Sequence, residues 1–156
     1  FKDLSVLDNV MVGTFSRTNS AARAKQKALE VLDFCGLAAK KSLLAGGLTI
    51  ADKKRLEFTK ALATDPSLLM LDEAIAGLNQ TETAEAVELV KKVREPGITV
   101  LLVEHVMQVV MPISSRVVVL EYGKKIAEDT PEKVIHNEEV IKAYLGDKYH
   151  ASRRAH

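Results

Sequence analysis

Two adjacent carboxylates, Asp72 and Glu73, close the apolar run Leu68-Leu69-Met70-Leu71. An Asp at the end of a buried strand can hold Mg²⁺, usually through water, because the ion is hard and takes oxygen ligands. The next residue points differently and could orient an attacking water, and a positioned base is worth about 10²–10⁴ in rate. The same acids could instead cap the following turn or pair with a lysine, and spacing alone leaves both readings open. Glu104 and His105 follow a second apolar run, 98–103, in the same way. A single His at a helix start is more often a satisfied residue than a ligand. His136, His150 and His156 are scattered, and no His/Cys/acid spacing resembles a zinc site. No Gly-x-Ser-x-Gly elbow occurs. A Gly-x4-Gly-Lys-Ser/Thr loop would cradle phosphates with backbone amides and a lysine, and the sequence has none. "GGLT" lacks the lysine, and "YGKKI" leads into neither a helix nor a hydroxyl.

These acids need strands to carry them. Residues 68–71 read as a short strand ending in acid. "ITVLLV", 98–103, is apolar throughout, which suits a strand covered on both faces. Around them the pattern is helical. A short apolar segment covers 5–12. A longer helix covers 20–34, with Leu29, Val31, Leu32 and Cys35 toward one side, Asn19 or Ser20 as cap and Gly36 as stop. Thr49 with Asp52 three residues on matches a capping box, so a helix is expected from there to about Thr64, ended by Asp65-Pro66. A further amphipathic helix is expected over 79–94, with Val87, Val90 and Val93 inward. Another runs through Val106, Val109, Val110 and Ile113. "RVVVLEYGKKIAE" predicts a hairpin turning at Tyr122-Gly123. Thr130-Pro131 starts a short helix, and "NEEVIKAYLG" makes the last one, closed by Gly146. The tail 147–156 reads as polar and loose. Strands alternating with helices predict an α/β fold, whose ligands gather beyond the carboxyl ends of the strands. Asp72-Glu73 and Glu104-His105 are both expected at that end.

Composition narrows the function classes. The 156 residues are 47% apolar, enough for a core, and the formal net charge is +1, so no basic field points to nucleic acid. No apolar run approaches the ~18 residues of a membrane span, and no secretory signal is visible. Cys35, the single cysteine, sits in an apolar helical pattern and reads as a small core residue in a reducing compartment.

In order and spacing these motifs resemble the ATP-binding subunit of ABC transporters, closest to the branched-chain amino-acid importer family. "LSVLDNVMVG", "ALATDPSLLMLDEAIAGLNQTET", "GITVLLVEHVM" and "EVIKAYLG" all read like that family, and the likeness runs from Phe1 to about Tyr149. It implies a partial P-loop ATPase core, a mostly parallel sheet with a C-terminal hairpin, joined to the family's helical subdomain. Residues 1–64 would be the helical subdomain and signature helix, 65–146 the C-terminal part of the core, and 147–156 the tail. It implies Asp72 as the Walker B acid on Mg²⁺, Glu73 as the carboxylate polarising the attacking water, and His105 as the switch histidine at the γ-phosphate. Ala76, Gly77, Leu78 and Asn79 would form the D-loop facing a second ATPase subunit. Leu48, Thr49, Ile50, Ala51 and Asp52 stand where the family has its signature loop, whose helix N-terminus addresses the nucleotide of the opposite subunit.

The same likeness implies ATP and Mg²⁺ as cofactors, with the phosphate loop and Q-loop upstream of Phe1. The chain is then the C-terminal portion of a subunit, inactive alone. Its expected partners are a second ATPase subunit and membrane permease subunits, without nucleic acid, at the cytoplasmic face of the cell membrane. Departures are local. Ile50 and Ala51 replace two glycines and Asp52 a neutral glutamine, while Ala74, Gln80 and Val106 stand where Pro, Pro and Asp are common. The alternative of another class is a non-catalytic α/β dimerisation or docking module. An ABC ATPase of repair or translation is opposed by "EVIKAYLG" and by the lack of a basic patch.

Overall fold

The computed structural model describes residues 1–95 and 97–145, and the chain divides into two compact units between Glu104 and His105. The first unit opens with helices α1 (Val6–Thr14), α2 (Ala21–Phe34) and α3 (Ile50–Leu62). Each starts at a hydroxyl side chain that accepts from a first-turn amide: Ser5 from Asp8, Ser20 from Arg23, Thr49 from Asp52. Of the two cap candidates for α2, Ser20 is the one used. That helix ends as its sequence predicts, with Gly36 at φ +72°. The α2 face that packs inward carries Ala24, Ala28, Val31 and Leu32, and α1 packs against both α2 and α3. Cys35 is buried beside Thr59, and burial pushes its thiol above the ordinary range.

The α3 start corrects one expectation. Thr49 Oγ accepts from the Asp52 amide at 3.1 Å, but the Asp52 carboxylate takes Thr49 Oγ1–H at 3.0 Å and the Lys40 ammonium at 2.5 Å. The Asp52 carboxylate is thus engaged by Lys40 and the Thr49 hydroxyl instead of closing a capping box. A full box forms instead at helix α4 (Gln80–Arg94), where Asn79 Oδ1 accepts from Glu82 N at 3.0 Å and Glu82 Oε2 from Asn79 N at 2.9 Å. The predicted Val87, Val90 and Val93 are its buried face.

Strands β1 (Leu68–Asp72) and β2 (Thr99–Val103) pair in parallel, Leu68 opposite Thr99 through Asp72 opposite Val103. Leu69 and Leu71 are 3% and 7% exposed, whereas Met70 is 67% and Leu101 48%. Among the described residues two-sided cover is therefore not found: α4 packs against β2, and Leu68, Met70, Leu101 and Val103 form an exposed apolar face. A run of apolar residues specifies that a strand can be covered twice, not that a second layer is supplied by the same residues.

The second unit begins with a single turn, α5 (Met107–Val110). The helix expected as far as Ile113 gives way to turns because Pro112 has no amide to bond the Gln108 carbonyl. Strands β3 (Val117–Glu121) and β4 (Lys124–Asp129) form the predicted antiparallel hairpin, with a register shift after Val119. Tyr122 and Gly123 both take positive φ, +46° and +77°, as a two-residue hairpin turn requires. Helices α6 (Pro131–Val134) and α7 (Glu138–Leu145) follow. Thr130 occupies the cap position of α6 but makes no side-chain capping bond; its amide donates to Asp129 Oδ1 at 2.8 Å. Val117, Val134 and Val140 make the core, flanked by Met107, Val110 and Ile126. The expected stop at Gly146 and the polar tail lie outside the described residues. Among the described residues no helix is long and apolar enough to cross a membrane.

Candidate functional site

β1 delivers Asp72 and Glu73 to its carboxyl end, where both side chains are exposed. Glu73 extends the ladder by one residue, its amide donating to Val103 O at 3.0 Å. Its φ of +45° then turns the chain out of the sheet, a left-handed conformation uncommon for a residue other than glycine. The turn closes on the Glu73 carbonyl, which accepts from Ala76 N at 3.2 Å and from the Lys54 ammonium of α3 at 3.1 Å. Ile75, buried, donates its amide to Glu104 Oε1 at 3.1 Å, so the acid after β2 anchors the loop after β1. Ala76 to Asn79 complete the loop, with Gly77 at φ +78° and Asn79 capping α4.

The α3 start lies on the same unit. Leu48 is buried, Thr49 caps, Ile50 is exposed and Ala51 half-buried. Burial works to raise the pKa of Asp52, but the Lys40 and Thr49 hydrogen bonds and the Lys40 and Arg55 charges outweigh it and hold the carboxyl below its ordinary range. Arg55 also pairs with Glu85 of α4 at 2.5 Å. A small apolar cavity of about 40 Å³, lined by Ala51, Lys54, Phe58, Leu71, Ile75 and Val90 among others, separates α3 from β1 and α4.

The first unit thus gathers Asp72, Glu73 and the 76–79 loop, and Lys54 ties the Glu73 carbonyl to the helix begun by Thr49. His105 is the first residue of the second unit. Among the described residues no three His, Cys, Asp or Glu side chains gather closely enough to hold a metal ion between them. Lys54 and the anchoring bond of Glu104 had no signal in the sequence, since both act across long separations in the chain.

Residues 124–150 match the family model for branched-chain amino acid ATP-binding cassette transporters. The chain is 39% identical to the high-affinity branched-chain amino acid transport ATP-binding protein LivG of Escherichia coli (strain K12), over 94% of this chain and 64% of that protein. It is 37% identical to BraF of Pseudomonas aeruginosa, a protein of the same description, with the same coverage. The ADP conformation of MJ1267, an ATP-binding cassette of an ABC transporter, superposes with a TM-score of 0.81 at 26% identity, covering 94% of this chain and 64% of that one. CbiO1 from Clostridium perfringens, part of the ABC transporter complex cbiONQ, gives 0.79 at 26% identity, covering 90% and 56%. The chain spans 64% of the length of the curated relatives it matches. Over 94% of its length it is therefore a homologue of the branched-chain amino-acid transport ATP-binding proteins, and it carries the partial ABC ATPase fold that its motifs predict.

Proposed function

We propose that this chain forms the hydrolytic part of an ABC-type ATPase subunit that couples ATP to uptake of a small solute, a branched-chain amino acid or similar amide. The observation that carries the reading is the exposed carboxylate pair at the β1 tip, in a chain homologous to branched-chain amino-acid transport ATP-binding proteins. The donor set fits the metal end of a magnesium nucleotide, since Asp72 offers hard carboxylate oxygens on an exposed strand end. It does not fit the phosphates: the sequence has no Gly-x4-Gly-Lys-Ser/Thr loop, so that cradle must come from outside these 156 residues.

In this reading Asp72 would hold magnesium through a bound water, and a Glu73 carboxylate oxygen would accept a hydrogen bond from the attacking water. His105, which belongs to the second unit, would contact the γ-phosphate, as the resemblance to the family implies. Magnesium-bound ATP supplies the transferable phosphoryl group. Ala76 to Asn79 meet a second ATPase subunit, and Leu48 to Asp52 address that subunit's nucleotide. Residues 1–12 and α2 lie against membrane permease subunits, so the protein works peripherally at the cytoplasmic face of the membrane.

The test is ATP hydrolysis by the full-length subunit assembled with its transporter partners. Glu73→Gln, which keeps size but removes the base, lowers kcat by about 10²–10⁴ while nucleotide still binds. Full activity in that variant would remove Glu73 from the chemistry. A second reading, a non-catalytic α/β docking module, is favoured by one observation: Asp52, held by Lys40, puts a carboxylate at the helix start that would meet a phosphate. Absence of nucleotide binding by the full-length subunit would select it.

A further inference from the structure

We propose that Lys54 is a positioning residue for Glu73, setting the backbone turn from which that carboxylate is presented. The inference rests on the catalytic reading of Glu73. Glu73 sits at φ +45°, where an L-residue stays only if its surroundings hold it. Its amide is held by Val103 O at 3.0 Å, and two residues on the Ile75 amide is held by Glu104 Oε1 at 3.1 Å. Between these anchors lies the Glu73–Ala74 peptide, whose carbonyl takes Ala76 N at 3.2 Å and Lys54 Nζ at 3.1 Å. Ala76 belongs to the same turn and would move with it. Lys54 refers this peptide to a separate element.

That element is fixed. The N-terminus of α3 is capped by Thr49, its Asp52 is paired with Lys40, and Arg55, adjacent to Lys54, is paired with Glu85 of α4. The Lys54 stem lines the small apolar cavity together with Phe58, Leu71 and Ile75, so its path to the carbonyl runs along packed surface. A charged donor on a carbonyl makes a stronger bond than a neutral one. Removing it loosens the turn and lets φ of Glu73 relax from +45°, and because rotation about N–Cα carries Cβ, the direction of the carboxylate changes with it. The helix that begins at Thr49 and the acid at the β1 tip are thereby mechanically linked within one subunit.

The experiment uses the full-length subunit with its transporter partners and four variants: K54M, K54R, E73Q and K54M/E73Q. K54M keeps the stem and loses the donor. It is expected to lower kcat about tenfold, with KM for ATP within about twofold and Tm unchanged within about 2 °C. K54R, which still brings a cationic donor, recovers most of the loss, and K54M adds nothing in the E73Q background. Wild-type kcat in K54M overturns the proposal. So does a loss in which KM and Tm move with kcat and K54R gives no rescue, since that is a purely structural role. An inactive E73Q beside a fully active K54M defeats this inference alone; an active E73Q defeats the reading of Glu73 and this inference with it.

Discussion

Asp52 is a partly buried acid whose ion-pair partner is Lys40, with Arg55 adding a second positive charge. Its side chain is 14% exposed, and the ammonium of Lys40, on the short 3₁₀ turn Ala38–Lys40, reaches it directly. Because its folded pKa lies below the ordinary value of 3.8, the pair contributes stability that is fully present above that value. It is lost as pH falls through the lower, folded value. Lys40→Met should therefore destabilise the fold at neutral pH by about 1 kcal/mol, the scale of a half-exposed ion pair. The gap between variant and wild type should close on acidification, because protonated Asp52 no longer distinguishes them. Urea midpoints measured from pH 7 down past the aspartate range check this, and a gap that stays constant with pH would show that Lys40 acts by packing.

At the scale of elements, Gly13 shows what a close helix contact needs. In sequence it is a weak residue inside α1. In the fold a Cβ there would lie 2.6 Å from the Lys60 carbonyl oxygen and 3.3 Å from Ala63 Cβ, so α1 and α3 approach through the missing side chain. Gly13→Ala improves helix propensity by about 1 kcal/mol. The clash with α3 backbone should outweigh it and leave a net loss of about 1–3 kcal/mol, read as a lower urea midpoint. The start of α3 at Thr49, the hairpin turn at Tyr122-Gly123 and the inward valines of α4 were legible because each depends on residues within one turn of one another, and the same local logic narrowed the α2 cap to Asn19 or Ser20. The short α5 was less so: its apolar spacing continues to Ile113, while one missing amide at Pro112 interrupts the ladder. At the site, the strand ending in Asp72 was legible, but what holds the turn was not. Lys54 and Glu73 are separated by 19 residues and Ile75 and Glu104 by 29, and no local pattern announces such pairs.

Across the first unit as a whole, the β1–β2 ribbon is the element that carries the acids, and its two faces are unequal. Leu69 and Leu71 point into the layer that contains Phe58 and Val90, while Met70 and Leu101, paired in register, stand open. Parallel strands are ordinarily covered on both faces, so the stability of this ribbon should rest on one of them. Leu69→Ala then removes buried contacts and leaves a cavity, at a cost of about 2–5 kcal/mol. Met70→Ala, one residue along and of similar size, should change stability by less than about 0.5 kcal/mol, as substitutions at exposed positions do. Urea unfolding of the chain separates the two, with unchanged m showing that the comparison is one of stability. Comparable losses at both positions would mean that the Met70 face is packed in solution, and that β1 is held at Asp72 from both sides instead of one.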